Sequence, residues 1–93
     1  MNQDVFNFEI IIKKKVHKNL KKLPNEVLKK FTALAKQLSS NGPVAYGWKN
    51  YSKLGKQKYH CHLTLSYVAC WTHEKGTIKI EVYYVGSREN SPY

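Results

Sequence analysis

The chain has 93 residues, of which sixteen are Lys or Arg and six are Asp or Glu, so its formal net charge is +10. Seven Tyr, three Phe, two Trp and a hydrophobic share of 42% exclude a disordered chain, and the length predicts one domain over residues 1–93. This excess of positive charge favours a polyanionic partner: nucleic acid, an acidic protein or an anionic surface. A basic surface that serves only solubility is the alternative.

Two cysteines are too few for a disulfide framework, and we expect them to be free thiols in a reducing compartment. The first twelve residues begin polar and then alternate, which is unlike a signal peptide. No stretch approaches the about 18–20 apolar residues of a membrane span. We therefore expect a cytoplasmic protein with no membrane partner.

The first half of the chain predicts one strand and two helices. Residues 5–12 (VFNFEIII) alternate as in a strand, and residues 13–23 place apolar side chains at helical spacing among lysines. A second helix should start with Pro24 as its first residue and end at residues 39–43 (SSNGP). The apolar face of the strand is Phe6, Phe8, Ile10 and Ile12. The apolar stripe of the second helix is Val27, Leu28, Phe31, Leu34, Ala35 and Leu38.

The second half of the chain predicts strands. Residues 44–58 form a strand or a looped strand, residues 59–65 (YHCHLTL) alternate, and residues 67–71 and 77–86 are two further strands joined by a hairpin turn (THEKG). Alternation places Tyr59, Cys61, Leu63 and Leu65 on one face, and His60, His62 and Thr64 on the other. The predicted fold is α+β: an N-terminal strand, a helical hairpin and a three- to four-stranded antiparallel meander, with both helices on one face of the sheet.

His60 and His62 are the leading candidates for chemistry. Two residues apart on a strand, their side chains leave the same face about 6.5–7 Å from each other. That spacing can bracket a phosphodiester, and an ordinary pKa of about 6.5 lets one ring be neutral and its neighbour charged near neutral pH. The alternative is two half-exposed histidines on a sheet face.

A metal site is the other interpretation of this segment, because three histidines and two cysteines lie within fourteen residues. Alternation, however, turns Cys61 away from His60 and His62, and neither a C-x-x-C nor an H-x-x-x-H pair is present. We therefore expect no metal and no cofactor, and we expect Cys61 and Cys70 to be core thiols.

Positive and aromatic side chains near the histidines are candidates for RNA contacts. Arg88 is the single arginine of the chain, and its planar guanidinium suits a phosphate. Aromatic residues can stack on splayed bases, although at strand spacing they more often belong to the core. The candidate RNA-binding residues are Lys49, Lys53, Lys56, Lys58, Trp48 and Tyr51.

The order of these elements resembles the RelE/ParE superfamily of toxins from type II toxin–antitoxin systems. The resemblance is carried by Leu23-Pro24 in the helical hairpin, by the run KLG…YHCHL…YVAxW, and by the ending V-G-x-R…Y from Val85 to Tyr93. It implies a metal-independent mRNA endoribonuclease that acts in the ribosomal A site by attack of a ribose 2′-hydroxyl on the adjacent phosphate. It also implies rRNA contacts and an acidic antitoxin as partners.

The resemblance further implies catalytic roles for four residues: His60, His62, Arg88 and Tyr93. The histidines stand where the family carries basic residues on its third strand. Val68 stands where the family has an arginine on its fourth strand, so one phosphate ligand is missing. Two alternatives stay open: a ParE-like inhibitor of DNA gyrase, and a non-catalytic basic module that binds RNA or protein.

Overall fold

The computed structural model describes residues 7–93, which form two helices and one five-stranded sheet. The strand order is β1-β5-β4-β3-β2, with β1 parallel to β5 and all other neighbours antiparallel. The predicted α+β fold with an antiparallel meander is confirmed. The elements are β1 (Glu9–Ile12), α1 (Lys14–Leu20), α2 (Asn25–Asn41), β2 (Ser52–Lys53), β3 (Lys58–His62), β4 (Tyr67–His73) and β5 (Lys79–Ser87).

The first strand is confirmed from Glu9 to Ile12, and the part of the prediction that includes Phe6 lies outside the described residues. In the described part of the chain, no helix is both long and apolar enough to cross a membrane.

The second helix begins one residue later than its sequence indicates. Pro24 has the helical φ of −58° but an extended ψ of 149°, so it precedes the helix, and its carbonyl accepts a hydrogen bond from the Leu28 amide at 3.1 Å. At the other end Gly42 adopts φ 91° while its amide donates to the Leu38 carbonyl at 2.9 Å. This left-handed conformation favours glycine, which explains why α2 stops there.

One core fills the space between both helices and one face of the sheet. The α2 stripe is largely as predicted, although Leu28 and Ala35 are only half-buried at its margins. Trp71 is fully buried at the centre, and its indole N–H donates to the Pro43 carbonyl at 2.9 Å. The sheet residues of this core are Tyr59, Cys61, Ala69, Trp71, Ile80, Val82 and Val85, and Leu63 joins them from the turn after β3.

The opposite face of the sheet carries His60, His62, Val68 and Cys70, and we call it the histidine face. Cross-strand pairing places His60 beside Cys70, and His62 beside Val68. Val68 and Cys70 are fully buried but do not belong to the helix-packed core. Burial raises the pKa of the Cys70 thiol to about 12, so this thiol stays protonated at neutral pH.

Two strand predictions are wrong in extent. Most of residues 44–57 form turns, and only Ser52–Lys53 pair in the sheet. Strand β3 ends at His62, because the amides of Leu63 and Thr64 both turn back to the Tyr67 carbonyl, at 2.8 and 3.2 Å. Leu65, predicted on the core face, therefore lies at the tip of this turn and is 71% exposed.

Candidate active site

The two histidines lie side by side on β3, an interior strand of the sheet. Their ring centroids are 6.1 Å apart, and each residue is only 8% exposed. Cys61, which lies between them in the sequence, points into the core and is fully buried. Burial raises the pKa of the Cys61 thiol to about 12, so it supplies no thiolate at neutral pH. The pair is therefore a two-histidine site on one face.

Each imidazole is held at Nδ1 by a polar side chain from the segment that precedes β3. Ser52 pairs with His60 across β2 and β3, and its Oγ lies 3.1 Å from His60 Nδ1. Asn50 Nδ2 donates to His62 Nδ1 at 3.3 Å. With Nδ1 occupied in both rings, Nε2 is the nitrogen available to a substrate.

Sequence reasoning did not include Ser52 or Asn50 in the site. The signal for Ser52 is the register of the β2–β3 pair, which places it directly opposite His60. Asn50 reaches His62 from a turn in which its φ is 54°, a left-handed conformation that asparagine tolerates better than most residues. Neither feature follows from residue spacing along the chain.

Burial lowers the pKa of both histidines, and fixed positive charge contributes at His62. Burial lowers the pKa of His62, and the charges of Arg88 and Lys49 lower it further. Burial also lowers the pKa of His60, with a smaller contribution from His62 and an opposing hydrogen bond from the Ser52 backbone. Because an ordinary imidazole has a pKa of about 6.5, both rings are predominantly unprotonated at pH 7.

Arg88 and Tyr93 reach the site from the segment after β5. The Arg88 amide donates to the Ser66 carbonyl at 2.7 Å, which anchors this segment to the β3–β4 turn next to His62. The ring of Tyr93 lies over His60 with a centroid separation of 4.2 Å, while Tyr93 itself is 50% exposed. The structure thus brings together the four predicted catalytic residues, His60, His62, Arg88 and Tyr93.

A cleft of about 480 Å³ opens beside His62, between the start of α2 and the β3–β4 turn. Lys49 and Lys30 supply positive charge to its walls, and Glu26 supplies one negative charge. Sequence reasoning did not place Lys30 at the site, because Lys30 lies 32 residues before His62 in the chain and only the tertiary fold makes them neighbours. The charged side chains that line the cleft beside His62 are therefore two lysines and one glutamate.

The other predicted RNA-binding residues lie in different places. Lys49 is part of the site: its carbonyl accepts a hydrogen bond from the His62 amide at 2.8 Å. Lys58 is exposed on β3 with the same alternation as His60, and Lys56 is exposed in the preceding turn. Lys53 Nζ lies 5.7 Å from the centre of the Tyr59 ring, on the core side of the sheet.

Trp48 and Tyr51 pack against the core instead of lining the histidine face. Trp48 donates its indole N–H to Gln37 Oε1 at 2.9 Å. Tyr51 packs beside Tyr59 and Trp71, with centroid separations of 6.4 and 6.3 Å, and the three rings form a triangle because Tyr59 and Trp71 are 6.1 Å apart. Both aromatic rings therefore have their contacts within the fold.

Within residues 7–93, no three His, Cys, Asp or Glu side chains come close enough together to hold a metal ion. The physical reason is the strand alternation that separates Cys61 from the two histidines. The donors that remain on the histidine face are two imidazoles, with the positive charges of Arg88 and Lys49 beside His62, which suits an anionic substrate.

Comparison with known proteins identifies solved structures with the same fold. No protein-family model and no curated protein matches the sequence. Among solved structures, archaeal RelE in its complex with RelB from Pyrococcus horikoshii superposes with a TM-score of 0.74 at 18% identity, covering 91% of this chain and 99% of that chain.

Two further solved structures are similar. A mutant of Escherichia coli toxin RelE in the free state matches with a TM-score of 0.71 at 17% identity, covering 91% of this chain and 87% of that one. YoeB in a complex with YefM from Staphylococcus aureus matches with a TM-score of 0.67 at 16% identity, covering 85% of this chain and 94% of that one. At these identities the likeness concerns the fold: the chain has the fold of the RelE and YoeB toxins.

Proposed function

We propose that the chain is the toxin of a toxin–antitoxin pair and an endoribonuclease that cuts mRNA on the ribosome. The observation that carries this proposal is the pair of neutral imidazoles, 6.1 Å apart, beside Arg88 and Lys49 on one face of the sheet. Two such rings can exchange protons with a phosphodiester at neutral pH, and the neighbouring cations favour its negative charge.

The reaction that fits these groups is an internal transesterification. A ribose 2′-oxygen bonds to the adjacent phosphorus while an imidazole takes its proton, and the bond from phosphorus to the 5′-oxygen breaks as that oxygen is protonated. The products are a 2′,3′-cyclic phosphate and a 5′-hydroxyl. Arg88 is the candidate for stabilising the additional charge on the phosphoryl oxygens, because a guanidinium can bind two of them at once.

Charge and the solved relatives support the proposed partners. The net charge of +10 suits mRNA and rRNA as well as an acidic antitoxin. The solved P. horikoshii RelE is in a complex with RelB, and the solved S. aureus YoeB is in a complex with YefM. We propose an antitoxin of the same kind for this chain and activity in the cytoplasm, where ribosomes translate.

Induction in cells, followed by mapping of mRNA 5′ ends, tests the proposal. Wild type should arrest growth and create new 5′ ends within translated messages, and the double variant His60→Ala/His62→Ala should lose at least about 100-fold of the cleavage. His17→Ala is the matched control, because His17 is exposed on α1. Growth arrest without new mRNA ends would contradict the nuclease, and accumulated gyrase–DNA cleavage complexes would indicate a gyrase inhibitor instead.

A further inference from the structure

We propose that Ser52 and Asn50 are positioning residues that give the two histidines different tasks. Ser52 holds His60 as the ring that takes the proton of the 2′-hydroxyl, and Asn50 holds His62 neutral as a hydrogen-bond donor to the phosphate. The inference rests on the ribonuclease function proposed above and deepens it by dividing the chemistry between two otherwise similar rings.

The contacts of His60 fit a ring that gains and loses a proton. Ser52 Oγ lies 3.1 Å from Nδ1, and a hydroxyl oxygen can accept from Nδ1–H whether the ring is neutral or charged. The Ser52 backbone adds a hydrogen bond that favours the protonated ring. With the proton on Nδ1, Nε2 carries the lone pair, so it can take a proton without loss of the Ser52 contact. The titratable groups beside His60 are His62, Tyr93 and the Cys70 thiol, none of which is a fixed cation, and the exposed Lys58 lies two residues away on the same face of β3.

The contacts of His62 fit a ring that stays neutral. The Asn50 amide nitrogen can only donate, so His62 Nδ1 must accept and the ring proton must lie on Nε2. Protonation of Nδ1 would break this hydrogen bond and create a cation beside Arg88 and Lys49. Asn50 is held in place by its left-handed turn, and the neighbouring backbone is fixed because the His62 amide donates to the Lys49 carbonyl at 2.8 Å.

These two tautomers define a proton path that needs no co-reactant. As the 2′-oxygen bonds to phosphorus, its proton moves to His60 Nε2, while His62 Nε2–H donates to a non-bridging phosphoryl oxygen. The bond from phosphorus to the 5′-oxygen then breaks, and that oxygen takes a proton from the imidazolium of His60, directly or through water. His60 returns to its neutral form, and His62 never changes its protonation state.

Long-range ¹H–¹⁵N NMR of the imidazoles in the free protein at neutral pH tests the assignment directly, because it reports which ring nitrogen carries the proton. We expect opposite tautomers: Nδ1–H for His60 and Nε2–H for His62. The same tautomer in both rings, or Nδ1–H in His62, would overturn the inference whatever the cleavage assays show. The expected tautomers without any mRNA cleavage would support the hydrogen-bond assignment and refute the nuclease.

Substitutions at Asn50 separate its hydrogen bond from its backbone conformation. Asn50→Asp tolerates the same φ but can only accept, so it should move the His62 proton to Nδ1 and raise the His62 pKa by about one unit or more. Asn50→Gly keeps the left-handed turn without any side chain. It should remove the tautomer preference of His62 without the rise in the His62 pKa expected for Asn50→Asp. An unchanged His62 spectrum in both variants would contradict a positioning role.

Ser52 is tested in the same way. Ser52→Ala should weaken the Nδ1–H preference of His60 and lower its pKa, because only the backbone hydrogen bond remains, and Ser52→Thr should restore both because it keeps the hydroxyl. Both variants leave the exposed strand β2 with the same backbone donors, so the folded fraction should be unaffected. If Ser52→Ala leaves the His60 tautomer and pKa unchanged, Ser52 does not position His60.

Discussion

Removal of the Tyr93 ring should expose His60 and raise its pKa. Tyr93 lies over the imidazole at a centroid separation of 4.2 Å, and His60 is only 8% exposed in its presence. Burial is the leading cause that lowers the His60 pKa, so Tyr93→Ala should bring this pKa back toward the ordinary value of about 6.5. It should not exceed that value, because the neighbouring His62 still opposes protonation.

The size of the effect follows from this limit. At a pKa of 6.5, about a quarter of the His60 rings would be protonated at pH 7, against a smaller fraction in the wild type. Tyr93 is 50% exposed, so its ring buries about 100 Å², and its loss should cost at most about 2.5 kcal/mol of the free energy of unfolding. A folded variant with an altered histidine is therefore expected.

An NMR titration of the imidazole C–H signals measures the effect, with Tyr93→Phe as the matched control. Phenylalanine keeps the ring and removes the hydroxyl, so the His60 pKa should stay at its wild-type value. An equal His60 pKa in wild type and Tyr93→Ala would refute the idea that Tyr93 shields this ring. A rise in Tyr93→Phe as large as in Tyr93→Ala would show that the hydroxyl, and not the ring, is responsible.

Three further predictions concern charge, stability and pH. Lys49→Gln should weaken binding to single-stranded RNA and reduce the slope of log K against log salt by about 0.7. The control is Lys75→Gln, because Lys75 lies in the β4–β5 turn at the far end of β4, and this variant should change cleavage little. Equal losses of cleavage in the two variants would contradict a localised site. Trp71→Phe should lower the free energy of unfolding by about 2–4 kcal/mol in a urea titration, because it leaves a cavity and an unpaired carbonyl; a loss below about 1 kcal/mol would refute this packing account. The pKa values of His60 and His62 are lower in the folded protein than in the unfolded chain, so the unfolded chain binds more protons just below pH 6.5. The free energy of unfolding should therefore fall as the pH drops from 6.5 through the folded pKa values. The double variant His60→Gln/His62→Gln should lose most of this pH dependence in urea titrations.

Strand alternation around Cys61 was enough to predict the central feature of the site. Because a strand has a period of two, His60 and His62 had to share one face and Cys61 had to leave from the other, and the structure has this arrangement. The amphipathic stripe of α2 and the hairpin between β4 and β5 were predictable for the same reason: their local periodicities agree with their tertiary packing.

The remaining features depend on contacts between distant segments. Leu65 has the alternation of a core residue, but the turn that begins after His62 turns it outward. Trp48 and Tyr51 are aromatic residues among lysines, as in many RNA-binding surfaces, yet both pack against the core, where Tyr51 lies beside Trp71. Ser52 reaches the site only through cross-strand register, which spacing along the chain does not encode.

The most direct test of the central claim uses purified ribosomes programmed with a short mRNA and analyses the ends of the cleaved products. The account predicts a 2′,3′-cyclic phosphate and a 5′-hydroxyl from wild type without added transition metal. A single 2′-deoxynucleotide 5′ to the scissile phosphate should abolish cleavage, and so should replacement of His60 and His62. Cleavage that persists on the deoxy-substituted mRNA, or in the double histidine variant, would contradict attack by the 2′-hydroxyl assisted by this histidine pair.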